Sequence, residues 1–194
     1  MYKLGKYEFE SFKHNPGHRA NYAILSDHGG RDLGMKYSPL YSYTDEYNNL
    51  NNFSHPQIPK CYNFGHENFS EKDNVIFKEH FIVLQHYDGE DITRYYRKKR
   101  LPKYLEIRNI LRYFSSIADP LQYLHSKGYV HTDIKPGHLI LNPKTGVVGL
   151  IDLELTIKRG DLIKGISWEY ASPEHKQMVG LLKELPKGMD EKTI

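Results

Sequence analysis

A chain of 194 residues can hold one large domain or two small lobes around a cleft. Its 39% hydrophobic and 26% charged content fits a soluble globular protein, and a net charge of +3 gives no ground for a nucleic-acid partner. The single cysteine, Cys61, excludes an internal disulfide, Met1–Tyr7 lacks the apolar core of a signal peptide, and no apolar run approaches the roughly 20 residues of a membrane span, so we expect a cytoplasmic protein.

Residues 1–37 read as strands. Tyr7–Phe12 shows partial period-two alternation, Asn21–Leu25 is a short apolar run, and Leu33–Tyr37 is a third strand. Turns at His14–His18 and Asp27–Asp32 separate them. Tyr43, Tyr47, Leu50 and Phe53 then fall at helical spacing, with Thr44 as N-cap and acids in the first turn. The asparagines in this stretch make it a weak helix former. Val75–His80 and Phe81–Gln85 follow as strongly apolar runs.

From Asp91 the pattern turns helical. Ile92–Lys99 predicts a short charged helix ended near Leu101-Pro102, with Arg97–Arg100 as a solvated cationic end. A longer helix runs from about Lys103 to Ser126, with Ile107, Ile110, Leu111, Phe114, Ile117, Leu121 and Leu124 on one stripe. Pro120 should kink it, and Gly128 suits the residue after its end. Residues 175–194 read as polar.

Between these stretches lies the chemistry. His131-Thr132-Asp133-Ile134-Lys135-Pro136-Gly137-His138 carries an aspartate and a lysine two apart, then apolar Leu139–Leu141, a turn, apolar Gly149–Ile151 and a second aspartate, Asp152. Two short hairpin strands would hold both carboxylates at one end of a cleft. Phosphoryl transfer uses such a set: one carboxylate orients a hydroxyl, one holds Mg²⁺, and a cation neutralises the moving group. Taken alone, the same residues also read as a polar loop beside a buried strand pair.

The stretch resembles the catalytic loop (H-R-D-x-K-x-x-N) and metal-binding turn (D-F-G) of eukaryotic-type serine/threonine protein kinases. In order along the chain, Gly34-Met35-Lys36 is similar to the family's V-A-I-K strand, and Ser54-His55-Pro56-Gln57-Ile58 to its H-P-N-I. Leu121–His131 is similar to L-x-Y-L-H-S-x-G-I-V-H, and Gly165–Glu174 to G-T-x-x-Y-x-A-P-E. The resemblance covers residues 34–174. It implies an α+β, bilobal protein-kinase-like fold. Residues 1–85 would form the small antiparallel lobe with one short helix. Residues 86–194 would form an incomplete, mainly helical large lobe with hinge, catalytic loop and activation segment. The family's later helices have no counterpart here, so apolar surface that they cover should be exposed.

The resemblance further implies ATP-dependent transfer of the γ-phosphoryl group to a Ser/Thr hydroxyl of a protein, with ATP and Mg²⁺, or Mn²⁺, as cofactors. Asp133 would be the base, Lys135 would contact the γ-phosphate, Asp152 would chelate the metal, and Lys36, paired with Glu46, would hold the α- and β-phosphates. Gly17 is the one glycine in the interval of the phosphate loop, so that motif is effectively absent: the residues read as a plain hairpin turn, and weak nucleotide binding or a phosphate grip by other groups would follow. Gln85 to Tyr87 would offer backbone groups to adenine beside Leu84. Asp91 would face the ribose or serve as a helix-start acid, and Ile140 belongs to the same nucleotide set. His138 stands where the family has the asparagine that ligates a second metal, leaving one-metal catalysis, another metal or loss of activity open. Ser167 is placed to bond Asp133 and Lys135. Glu154 replaces the glycine after Asp-Leu. Thr132 replaces an arginine that receives an activation-loop phosphate, so no dependence on such phosphorylation is expected. Lys135-Pro136 favours a protein substrate over a small metabolite. These departures also support the alternative of a pseudokinase, a nucleotide-binding or scaffold module.

Overall fold

The first half of the chain goes into one antiparallel sheet. The computed structural model describes residues 2–4, 6–9, 12–13, 21–26, 30–71, 74–99 and 103–184. Its strands are β1 (Tyr2–Leu4), β2 (Tyr7–Phe9), β3 (Phe12–Lys13), β4 (Asn21–Ser26), β5 (Asp32–Ser38), β6 (Cys61–Glu71) and β7 (Asn74–Gln85), in the order β2-β1-β6-β7-β5-β4-β3. The Tyr7–Phe12 run, expected as one strand, is two pieces at opposite edges of the sheet. The two edges come together because only two residues of chain join them, and β2 also lies against β4. The sheet thus rolls around Leu4, Ala23, Met35, Tyr37, Phe81 and Val83. Strand β1 was not anticipated, yet Leu4 is fully buried in this core.

Strand β7 is continuous where the sequence reading has two separate apolar runs. Phe81 and Val83 enter the rolled core, while Ile82 and Leu84 enter a second core on the other face. With both faces buried the run loses its alternation, which is why periodicity could not define it. Helix α1 (Thr44–Leu50) is short, and Asn51 and Asn52 lie past its end. Tyr43, not Thr44, holds the N-cap position, and it makes no side-chain cap hydrogen bond. The Thr44 hydroxyl instead meets Ser42 Oγ at 2.8 Å.

Beyond Gln85 the chain passes through β8 (Glu90–Asp91) into α2 (Ile92–Lys99) and α3 (Lys103–Ser126), matching the expected helices. Strand β9 (Tyr129–Val130), a 3-10 turn (Pro136–His138), β10 (Leu139–Leu141), β11 (Val148–Leu150) and β12 (Ile157–Lys158) follow. β10 pairs with both β11 and β8, and β12 returns to β9. The second core joins all of this: Leu50, Ile82 and Leu84 from above meet Ile117, Leu124 and the β10–β11 hairpin. Gln57 ties the layers, its Nε2 donating to the Val148 carbonyl at 2.8 Å and the Ser116 carbonyl at 2.9 Å.

Two findings differ from expectation. Helix α4 (Pro173–Glu184) occupies part of the stretch read as merely polar. Its start carries ordinary signals: Ser172 Oγ accepts the His175 amide at 3.3 Å, Pro173 sits at the first turn, and Glu174 follows. The α3 stripe is buried only toward its C-terminal end. Ile107, Leu111 and Phe114, nearer its start, are exposed.

Leu124→Ala should therefore cost about 3 kcal/mol, whereas Leu111→Ala should change stability by less than about 0.5 kcal/mol, measured by urea denaturation. Glu79 gives a second expectation. It is buried in β7, and its Oε2 has no hydrogen-bond partner among the described residues. Burial pushes its carboxyl from 4.5 up to about 7. A raised native-state value favours the protonated form, so this contribution to stability is lost as pH rises from about 4.5 to about 7. Glu79→Gln should flatten that slope in denaturation midpoints taken across the range.

Candidate active site

Lys36 lies on β5, paired to Tyr22 of β4 on one side and Ile82 of β7 on the other, so its backbone is fixed by two ladders. Its Nζ donates to both Glu46 oxygens, at 2.7 and 2.9 Å, and to Asp152 Oδ1 at 3.2 Å. The Glu46 side chain is wholly buried. Burial works to discharge Lys36, but the Asp152 and Glu46 carboxylates outweigh it and hold the ammonium well above the usual lysine range. Burial in turn pushes Glu46 up, against the pull of Lys36.

The loop after β9 places Asp133. His131, fully buried, accepts the Asp133 amide at Nδ1 (3.3 Å) and presents Nε2 to the Ile151 carbonyl at 3.4 Å. Burial and the neighbouring His138 lower its pKa to about 4, so the ring is neutral and those bonds set its tautomer. Thr132 has φ +64, a left-handed conformation unusual for a β-branched residue, and its hydroxyl donates to the Leu155 carbonyl at 2.7 Å. Asp133 Oδ2 accepts Lys135 Nζ at 2.8 Å, and Oδ1 accepts the Ser167 amide at 3.0 Å. Burial alone would raise the Asp133 carboxyl, but these donors win and hold it below the ordinary carboxylate value. Lys135 Nζ also donates to Ser167 Oγ at 2.7 Å.

His138 joins the two carboxylates. Its Nδ1 lies 2.9 Å from the Asp133 carbonyl and its Nε2 lies 3.0 Å from Asp152 Oδ2. A metal ion at either nitrogen would have to displace one of these contacts. Asp152 itself has φ +67, and Thr132 and Asp152 are the non-glycine residues with positive φ among those described. Burial opposes its charge, yet Lys36 and His138 hold its carboxyl far below the usual range. Glu154 adds a third acid: oxygens of Glu46, Asp152 and Glu154 lie within 4.8 Å of one another, and Tyr41 donates to Glu154 Oε2 at 2.6 Å.

A cavity of about 540 Å³ opens beside this cluster, and Lys36, Leu84, Gln85, Tyr87, Asp91 and Ile140 all line it. The Gln85 amide is already bonded to the Lys60 carbonyl at 2.8 Å. The Tyr87 hydroxyl turns to the Pro56 carbonyl at 2.9 Å while its ring lies against Gly149. Asp91 Oδ1 accepts the Arg94 amide at 2.8 Å, so the helix-start reading of this acid is realised at the cavity wall. Gly17 lies outside the described residues. His86, within the Gln85–Tyr87 stretch, also lines the cavity, as does Tyr22, which was not singled out from sequence; the one available signal for it was Gly34, a glycine inside a strand.

A family model described as "Protein kinase domain" matches residues 34–175. The chain belongs to the protein kinase family. Among similar proteins, protein kinase gsk31 of Schizosaccharomyces pombe is 36% identical over 102 residues, which is 51% of this chain and 25% of that protein. Serine/threonine-protein kinase PknG of Mycobacterium leprae is 32% identical over 99 residues, 51% of this chain and 12% of that one. Serine/threonine-protein kinase nekl-2 of Caenorhabditis elegans is 28% identical over 133 residues, 66% of this chain and 35% of that one. The chain thus spans a minor part of the length of these kinases. Among the described residues, no helix is long and apolar enough to cross a membrane.

Removing the lysine of this kinase domain tests the buried cluster without any substrate. Lys36→Met leaves Glu46 buried without its cation, and we expect a loss of about 3 kcal/mol at pH 8. The loss should shrink at pH 5.5, where Glu46 takes up a proton. Paired chemical-denaturation curves at the two pH values measure both.

Proposed function

We propose that this protein kinase domain transfers the γ-phosphoryl group of ATP to a serine or threonine hydroxyl of a protein in the cytoplasm. The observation that carries the reading is the ordered set of charges that begins with Lys36 at the cavity wall. Lys36 is held between Glu46 and Asp152, and Asp133 is held between Lys135 and Ser167.

In this reading Asp133, ionised at neutral pH, accepts a hydrogen bond from the substrate hydroxyl, aligns its oxygen and takes the proton as the new O–P bond forms. Lys135, 2.8 Å from Asp133, would sit beside the γ-phosphate, and Lys36 beside the α- and β-phosphates. Both are cations fixed before substrate arrives, so little reorganisation is needed. Gln85, Tyr87, Asp91 and Ile140 would form the walls for the nucleoside. Asp152 would hold Mg²⁺ or Mn²⁺: a partly exposed carboxylate, near the Glu154 and Glu46 oxygens, is the hard donor set such ions choose. The ion, when bound, supplies charge neutralisation at the phosphates. His138 would restrain the Asp152 carboxylate through Nε2 and tie it to the Asp133 backbone.

A second reading, a pseudokinase that binds nucleotide or a partner without turnover, draws on His138. Both its nitrogens are taken up by protein oxygens where the family has a metal-binding asparagine.

Incubation with radiolabelled ATP, Mg²⁺ or Mn²⁺ and a general protein substrate separates the two. We expect label transfer that falls at least about a hundredfold in Asp133→Asn. Transfer that survives Asp133→Asn would sink the mechanism, and binding of ATP without transfer would favour the pseudokinase.

A further inference from the structure

Tyr22 reaches across the cavity. It stands on β4 opposite Lys36, and Ile24, two residues on, pairs with Gly34 of β5. Its hydroxyl lies 2.8 Å from His86 Nδ1, in the segment that leaves β7. The tyrosine and histidine rings lie 6.3 Å apart. A Cβ built on Gly34 would sit 2.3 Å from that hydroxyl, and 3.0 Å from the ring carbon that bears it. The phenol therefore passes directly beside the Gly34 backbone. It fills the volume that any other residue at that position would claim.

That volume belongs to the cleft. Tyr22 lines the same 540 Å³ cavity as Lys36, Leu84, His86, Asp91 and Ile140. Lys36 marks the end where phosphates would lie, and His86 marks the opposite end, where a base would meet the chain crossing between sheet and helices. Glycine inside a strand is unfavourable by roughly 0.5–1 kcal/mol relative to alanine, so Gly34 needs a local reason. The phenol supplies one. Burial keeps it a neutral hydrogen-bonding group, pushed up to about 12.

Resting on the nucleotide reading of this cavity, we infer that Tyr22 is a latch that controls access of the base. Bonded to His86, its ring occupies the base end beside Gly34, and binding of ATP or ADP requires the side chain to rotate out of the cleft. The latch bond is made to His86 and not to Lys36 or Asp152, which mark the phosphate end. A ligand made of phosphate alone meets no such barrier.

If the latched state holds about nine tenths of the molecules, opening it raises apparent nucleotide affinity about tenfold. Binding of ADP, ATP and inorganic tripolyphosphate should be measured by calorimetry on wild type, Tyr22→Phe and Tyr22→Ala. We expect Tyr22→Ala to bind both nucleotides about tenfold more tightly, Tyr22→Phe to fall between, and tripolyphosphate to be unaffected. Equal or weaker nucleotide binding by Tyr22→Ala would overturn the latch alone. Failure of all three proteins to bind any of the ligands would overturn the nucleotide reading, and the latch with it. Thermal unfolding without ligand supplies an independent arm. Gly34→Ala should destabilise the wild type but be neutral or stabilising in the Tyr22→Ala background. Additive effects would show that the phenol does not occupy the space beside Gly34, and would also overturn the latch.

Discussion

A buried lysine is an unstable thing to build a protein around, and this one is stable only because Glu46 and Asp152 stand on either side of it. Three segments distant in sequence meet at that ammonium: the middle of the sheet, the short helix α1, and the turn after β11. Removing such charges from water costs several kcal/mol per ion, so the cluster is better understood as positioning these segments than as adding stability. The contacts then continue without a gap. Asp152 meets His138, His138 meets the Asp133 carbonyl, Asp133 meets Lys135, and both of these meet Ser167. One polar chain thus runs from the rolled sheet to the segment before α4.

Local strain sits on the same line. Thr132 and Asp152 adopt left-handed backbone conformations that cost of order 1–3 kcal/mol each. Each is held by what surrounds it: the Thr132 hydroxyl by the Leu155 carbonyl, the Asp152 carboxylate by Lys36 and His138. These bonds, with His138 between them, fix Asp133 and Asp152 relative to one another while the apolar hairpin stays packed. Where the family has glycine after the second aspartate, Glu154 is accommodated because the positive φ falls on Asp152 itself.

How much of this could be read from the chain depended on what kind of signal a residue leaves. Lys36, Glu46, Asp133, Lys135 and Asp152 stand at spacings that a known chemistry demands, and they do converge. Helices α2 and α3 were legible because their periodicity and breakers agree. The β7 strand was misdivided because burial on both faces erases alternation. Helix α4 was missed although Ser172, Pro173 and Glu174 mark its start, since the polar composition after it dominated the reading. Tyr22 was invisible for a different reason. Its role depends on which strand lies beside it and which way its ring turns, and cross-strand register is not written in local sequence.

The rolled sheet has one more consequence. An open sheet of this size presents two rows of unpaired amides and carbonyls, which invite strands from other molecules. Here the hairpin of β1 and β2 covers the flank of β6, and β3 covers part of β4, so the N-terminal pieces occupy both edges of the sheet. A chain shortened by its first thirteen residues would bare both flanks at once. β6 and β4 would then offer templates for intermolecular pairing, so loss of these N-terminal pieces should favour self-association.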